Sequence, residues 1–133
     1  MQRFAMDDLL KWKEKASRKP LVIMGARQVG KTWLMKEFGK KYYEKTAYIS
    51  FYNNRRMKDV FDVDFDIERI IMNLNIESGV TITPGNTLII LDEIQNVPKV
   101  LESLKYFCEE APEYHVVAAG SLLGVAIHEG ISC

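Results

Sequence analysis

The sequence is poor in the residues that would place it in several large classes. Its only 2 cysteines, Cys108 and Cys133, stand 25 positions apart. That fits neither a zinc ligand set nor a disulfide framework, so both thiols are expected to be reduced and inert. Two histidines, His115 and His128, cannot furnish a multi-His metal site by themselves and are expected at a strand edge or on the surface. Only 8 glycines and 4 prolines accompany 11% aromatic residues, which excludes collagen-like repetition and disorder. The longest nearly uncharged apolar run, Val116 to Ile127, has 12 residues, whereas crossing a bilayer takes about 20. The first 16 residues mix Asp7, Asp8 and Glu14 with Lys11, Lys13 and Lys15, which leaves no apolar stretch for a signal peptide. No membrane partner is expected, and the expected location is the cytoplasm.

Net charge is absent too, with 18 basic side chains against 18 acidic ones. The balance hides a split: residues 1–58 carry 15 Lys or Arg and 5 Asp or Glu, and residues 59–133 carry 3 and 13. A basic half can serve phosphates or nucleic acid, but sequence order does not fix surface location, and intermixed solvated faces are the simpler reading. What remains is a chain of 133 residues, 47% hydrophobic, enough for the core of one globular domain.

Hydrophobic periodicity alternates between helix and strand. An amphipathic helix is expected from Phe4 to Ala16, ending at Ser17 to Pro20, and a short apolar strand from Leu21 to Met24. Leu34, Met35 and Phe38 mark a helix from Lys31 to about Tyr42, and Ala47 to Tyr52 reads as a strand followed by a polar turn at Asn53 to Arg56. Ile67, Ile70, Ile71 and Leu74 fall at i, i+3, i+4 and i+7 of a helix from Asp66 to Ser78, stopped by Gly79. Thr87 to Leu91 is an unbroken apolar strand of the kind buried on both faces of a parallel sheet. Pro98 opens a helix with Leu101, Leu104, Phe107 and Cys108, and His115 to Ala119 is a fourth strand. The expected fold is α/β, with a mainly parallel sheet covered on both faces.

Gly25-Ala26-Arg27-Gln28-Val29-Gly30-Lys31-Thr32 satisfies G-x-x-x-x-G-K-[ST] at every fixed position. The glycines let successive backbone N–H groups turn inward around phosphate oxygens, and the following helix adds its positive end. Lys31 can reach the outer phosphates, and the Thr32 hydroxyl can ligate Mg²⁺. A chance match in a chain of this length has odds on the order of one in a few hundred. The apolar strand before it and the helical pattern after it supply the confirming context.

A second signal ends the third strand, where Leu88-Ile89-Ile90-Leu91 runs into Asp92-Glu93. Carboxylates at the carboxyl end of a buried strand are costly unless they face a cation or polar ligand. Asp92 is expected to hold Mg²⁺ with Thr32, and Glu93 to polarise an attacking water. The Asp-Glu-Ile-Gln sequence is not the Asp-x-x-Gly of GTPases, no Asn-Lys-x-Asp guanine-reading motif occurs, and the last arginine is Arg69, which leaves no kinase-type lid arginines. ATP is the expected nucleotide.

Pro20 to Thr32, Leu88 to Pro98 and Lys105 to Gly124 together resemble a bacterial and archaeal group of AAA-type P-loop ATPases, usually followed by a C-terminal domain of unknown function. The resemblance implies a three-layer α/β/α sandwich that binds ATP and Mg²⁺ and hydrolyses ATP, with Gly25 to Thr32 as Walker A and Asp92 and Glu93 closing Walker B. It also puts Ser121 where such proteins keep a polar sensor beside the γ-phosphate; capping a helix from Leu122 is the other reading of that serine. Trp33 could offer its backbone N–H to a phosphate while its ring packs. By comparison with the group, residues 1–19 form a helix and linker, and residues 20–133 form a nucleotide domain expected to stop before the fifth strand and lid. No Lys or Arg follows Lys105, so no arginine finger occupies the usual C-terminal position. Such a charge is worth about 10³ to 10⁵ in turnover in related enzymes, and binding with little turnover is accordingly expected. A missing fifth strand would leave an edge near Val116 to Ile127 and invite self-association. The alternative function is a nucleotide-gated binding module for nucleic acid, supported only by the basic N-terminal half.

Overall fold

A computed structural model describes residues 6–25, 30–121, 127–130 and 133. Helix α1 (Met6–Glu14) precedes strand β1 (Leu21–Gly25), helix α2 (Lys31–Tyr42) and strand β2 (Lys45–Ser50). Helices α3 (Arg55–Val63) and α4 (Ile67–Ser78) lead to strand β3 (Thr87–Asp92), and after one 3₁₀ turn (Ile94–Asn96) come helix α5 (Pro98–Glu110), strand β4 (His115–Ser121) and strand β5 (Ile127–Gly130). The strands form one sheet in the order β2-β3-β4-β1-β5. Its first four strands are parallel.

Strand alternation sorts the core into two layers. Leu88 and Ile90 of β3, with Val117 and Ala119 of β4, pack against Leu9 and Trp12 of α1 and Met35 and Phe38 of α2. Their neighbours Ile89, Leu91, Val116 and Ala118 face the opposite layer, where Phe61 of α3, Ile70 and Leu74 of α4 and Phe107 of α5 lie. Because β3 feeds helices on both sides, all six of its residues are buried, which explains its unbroken apolar run. Gly39 of α2 lies so close to β2 that an added Cβ would overlap the Thr46 side chain, which fixes how near α2 sits to the sheet.

Four expectations need correction. Asn53 to Arg56 does not end as a turn: α3 begins at Arg55, with the Asn54 side chain capping it by accepting from the Met57 N–H at 3.1 Å. Its apolar residues Met57 and Phe61 are buried one helical turn apart among exposed charges, a pattern too short to stand out in the sequence. The edge expected near Val116 to Ile127 is not open along β4, which lies between β3 and β1, while β5 pairs antiparallel to β1 on its other side. The cysteines are not free thiols. A disulfide joins Cys108 to Cys133, with their Cα atoms 6.2 Å apart, a separation that ordinary bridge geometry accommodates.

His115 is buried at the start of β4, not at a strand edge. Its Nδ1 lies 2.6 Å from the Tyr43 hydroxyl, and the Trp12 and Tyr43 rings meet its ring edge to face. Burial, aided by the positive charges of Arg18 and Lys13, lowers the imidazole pKa to about 4, while burial raises that of the Tyr43 hydroxyl. The neutral ring accepts and the phenol donates. The unfolded chain therefore takes up a proton near pH 6.5 that the folded chain refuses until about pH 4. Stability should be complete above that window and fall as pH drops through it, by at most about 1.4 kcal/mol per pH unit. Urea titrations across the window should show this slope, and His115→Gln should flatten it.

Candidate functional site

The carboxyl ends of β1, β3 and β4 meet the first turn of α2. The chain leaves β1 toward α2 on one face of the sheet and leaves β3 toward α5 on the other, and crevices in open α/β sheets form where the winding direction changes. A pocket of about 200 Å³ lies there, lined by Gly30, Lys31, Thr32, Asp92, Glu93, Gly120 and Ser121. Gly30 caps α2 with φ 92°, a left-handed conformation that glycine adopts without a Cβ penalty. It turns the chain into the helix so that Lys31 and Thr32 occupy the first turn, where free N–H groups and the helix dipole favour anions.

Asp92 is the most constrained group in the pocket. It is 2% exposed, and its Oδ2 accepts from the Thr32 hydroxyl at 2.7 Å and the Tyr48 hydroxyl at 2.8 Å. Its Oδ1 accepts from the Glu93 N–H at 2.9 Å. Burial raises the Tyr48 pKa, and the bond to Asp92 adds to the effect, so the phenol stays a donor. Lys36 Nζ lies over the Tyr48 ring, 4.0 Å from its centroid.

Lys31 extends along the pocket floor, with Nζ donating to the Gly120 carbonyl at 2.8 Å. Burial lowers its pKa, opposed by the nearby charges of Asp92 and Glu93. Glu93 adopts the left-handed region at φ 59°, uncommon for a residue with a Cβ, and this conformation swings the chain from β3 into the 3₁₀ turn. Its Oε1 accepts from Gln95 Nε2 at 2.8 Å. Gln95 Oε1 in turn accepts the Ser121 N–H at 3.0 Å.

The structure thus brings together Gly30, Lys31, Thr32, Asp92, Glu93 and Ser121 of the residues singled out in the sequence. Gly25 ends β1, while Ala26, Arg27, Gln28 and Val29 lie outside the described residues. The Trp33 ring does not pack, being 63% exposed. Ser121 closes β4, and the residues from Leu122 onward that its capping reading concerns lie, through residue 126, outside those described. Tyr48, Gln95 and Gly120 escaped sequence reasoning. Gln95 follows Glu93 by two positions and could have been noticed; nothing local distinguishes Tyr48 from other strand aromatics.

Residues 17–132 match a family model described as AAA domain. No curated protein and no solved structure matches the chain.

The hydroxyls on Asp92 hold a buried carboxylate, so each contributes to the fold as well as to the pocket. Tyr48→Phe removes one charge-assisted bond without changing the ring, and should lower unfolding free energy by about 1–2 kcal/mol in urea titration.

Proposed function

Since this chain belongs to the AAA domain family and is a nucleotide-binding module of that type, we propose that it binds ATP with Mg²⁺ and hydrolyses the β–γ bond, with a low turnover because no arginine follows Arg69 to reach the γ-phosphate. The observation that carries this reading is the 2.7 Å contact of the Thr32 hydroxyl, in the first turn of α2, with the buried Asp92 carboxylate. The contact brings the anion-favouring start of α2 and an acidic strand end into one pocket. The oxygen donors Thr32 and Asp92 suit Mg²⁺, which takes one or two protein oxygens and completes its shell with water and phosphate. Among the described residues no cluster of three or more His, Cys, Asp or Glu forms a metal site independent of a nucleotide. When bound, Mg²⁺ supplies neutralisation of charge on the β- and γ-phosphate oxygens.

The remaining chemistry belongs to the chain. Residues Gly25 to Thr32, with the Trp33 N–H, offer backbone donors to the phosphates. Lys31 exchanges the Gly120 carbonyl for phosphate oxygens, and the exchange has a low cost because it replaces one hydrogen bond by a charge-assisted one. Glu93 orients and polarises the attacking water as general base. Ser121, on the same rim, serves as a polar contact near the γ-phosphate. Among the described residues no helix is long and apolar enough to cross a membrane, and the reading requires none.

Lys31→Ala should abolish ATP affinity in titration calorimetry, and unchanged binding would refute the phosphate role. Glu93→Gln should retain ATP while phosphate release falls by about 10² to 10⁴. Persistent release in that variant would remove Glu93 from the base role.

A further inference from the structure

The Gly120–Ser121 peptide is engaged at both of its polar ends. Its carbonyl accepts Lys31 Nζ at 2.8 Å, and its N–H donates to Gln95 Oε1 at 3.0 Å. Gln95 Nε2 then donates to Glu93 Oε1 at 2.8 Å. One side chain therefore joins the end of β4 to Glu93, the carboxylate that, among the described residues of the pocket, Thr32 and Tyr48 do not hold. The amide is oriented by this pairing, because only its oxygen can accept the Ser121 N–H and only its nitrogen can donate to a carboxylate.

Gly120 makes the arrangement sterically possible. A Cβ there would stand 2.7 Å from Gln95 Oε1, 3.2 Å from the Gln95 nitrogen and 3.1 Å from Met24 Sδ. Two of these three obstacles belong to Gln95, and one is backbone. The absent Cβ at Gly120 is thus the space in which the Gln95 amide lies.

We propose that Gln95 is a positioning residue that fixes the Glu93 carboxylate relative to the Gly120–Ser121 peptide, and through that peptide links Glu93 to Lys31. The inference rests on the proposed ATP hydrolysis by this site and adds to it a residue that acts through Glu93. A carboxylate so tethered keeps one rotamer and one aim, and misplacing a reacting group by about 1 Å can cost about 10²-fold in rate.

The decisive variant is Gln95→Glu. It has nearly the same shape and keeps an oxygen to accept the Ser121 N–H, but it replaces the donor facing Glu93 with a second carboxylate. Steady-state phosphate release should show kcat lower by about 10- to 100-fold, with ATP affinity by calorimetry within about twofold of wild type. Gly120→Ala, which displaces Gln95 from the other side, should lower kcat in the same range. In a Glu93→Gln background, Gln95→Glu should cause little further loss, because a residue acting through Glu93 has nothing left to position. A thermal melt of each variant establishes that it is folded, and Gln95→Met serves as the uncharged isostere should Gln95→Glu unfold. Wild-type turnover together with unchanged kcat in the folded Gln95 variants overturns the inference alone, as does a full additional loss in the Glu93→Gln background. ATP binding by wild type without phosphate release overturns the hydrolysis reading, and this inference falls with it.

Discussion

The buried Asp92 carboxylate is the constraint around which the pocket is arranged. An acidic group 2% exposed costs several kcal/mol unless donors replace the water it has lost. The three donors come from three places: α2 through Thr32, β2 through Tyr48, and the chain beyond β3 through the Glu93 N–H. Satisfying one carboxylate therefore fixes the start of α2, the middle of β2 and the exit of β3 relative to one another. The left-handed backbone at Glu93 follows at once, turning the chain beyond that N–H into the 3₁₀ turn.

The packing of the sheet makes this rigidity useful. β3 is covered on both faces and paired with β2 and β4, so its carboxyl end cannot shift without moving two core layers. α2 is held against β2 by the close approach of Gly39 to Thr46, and by Met35 and Phe38 in the core. The first turn of α2 thus arrives at Asp92 as part of a packed helix. Precision of this kind serves phosphate chemistry, where most of what a protein supplies is placement and electrostatics.

Much of this was legible before any coordinates. Lys31 begins α2 as the motif requires, and Leu88 to Asp92 is the buried strand its apolar run implied. The rest depended on contacts between segments distant in sequence. Met57 and Phe61 give α3 too little periodicity to betray it, and it becomes a helix because both side chains meet the core beneath α4 and α5. The pairing of Cys108 with Cys133 could not be read from a spacing of 25, because it requires the end of the chain to return to α5. Tyr48 looked like any aromatic on a strand, and its role follows only from standing 44 positions before the carboxylate it contacts. Gln95 was locally visible, but its partner at Ser121 was not.

The kind of donor chosen for Asp92 carries a further consequence. Hydroxyls and a backbone N–H stabilise a carboxylate without cancelling its charge, whereas an arginine or lysine paired to it would have cancelled it. Lys31, the one cationic side chain among the described residues lining the pocket, spends its hydrogen bond on the neutral Gly120 carbonyl instead. The carboxylates therefore leave the pocket with an acidic rim, while the backbone donors at the start of α2 favour an anion next to it. An anionic ligand and two carboxylates repel at such range in a partly desolvated cleft. A hydroxyl-held carboxylate beside an anion cradle is thus an arrangement that gains most when a cation arrives together with the anion, which is why the proposed ligand is ATP with Mg²⁺ and not ATP alone.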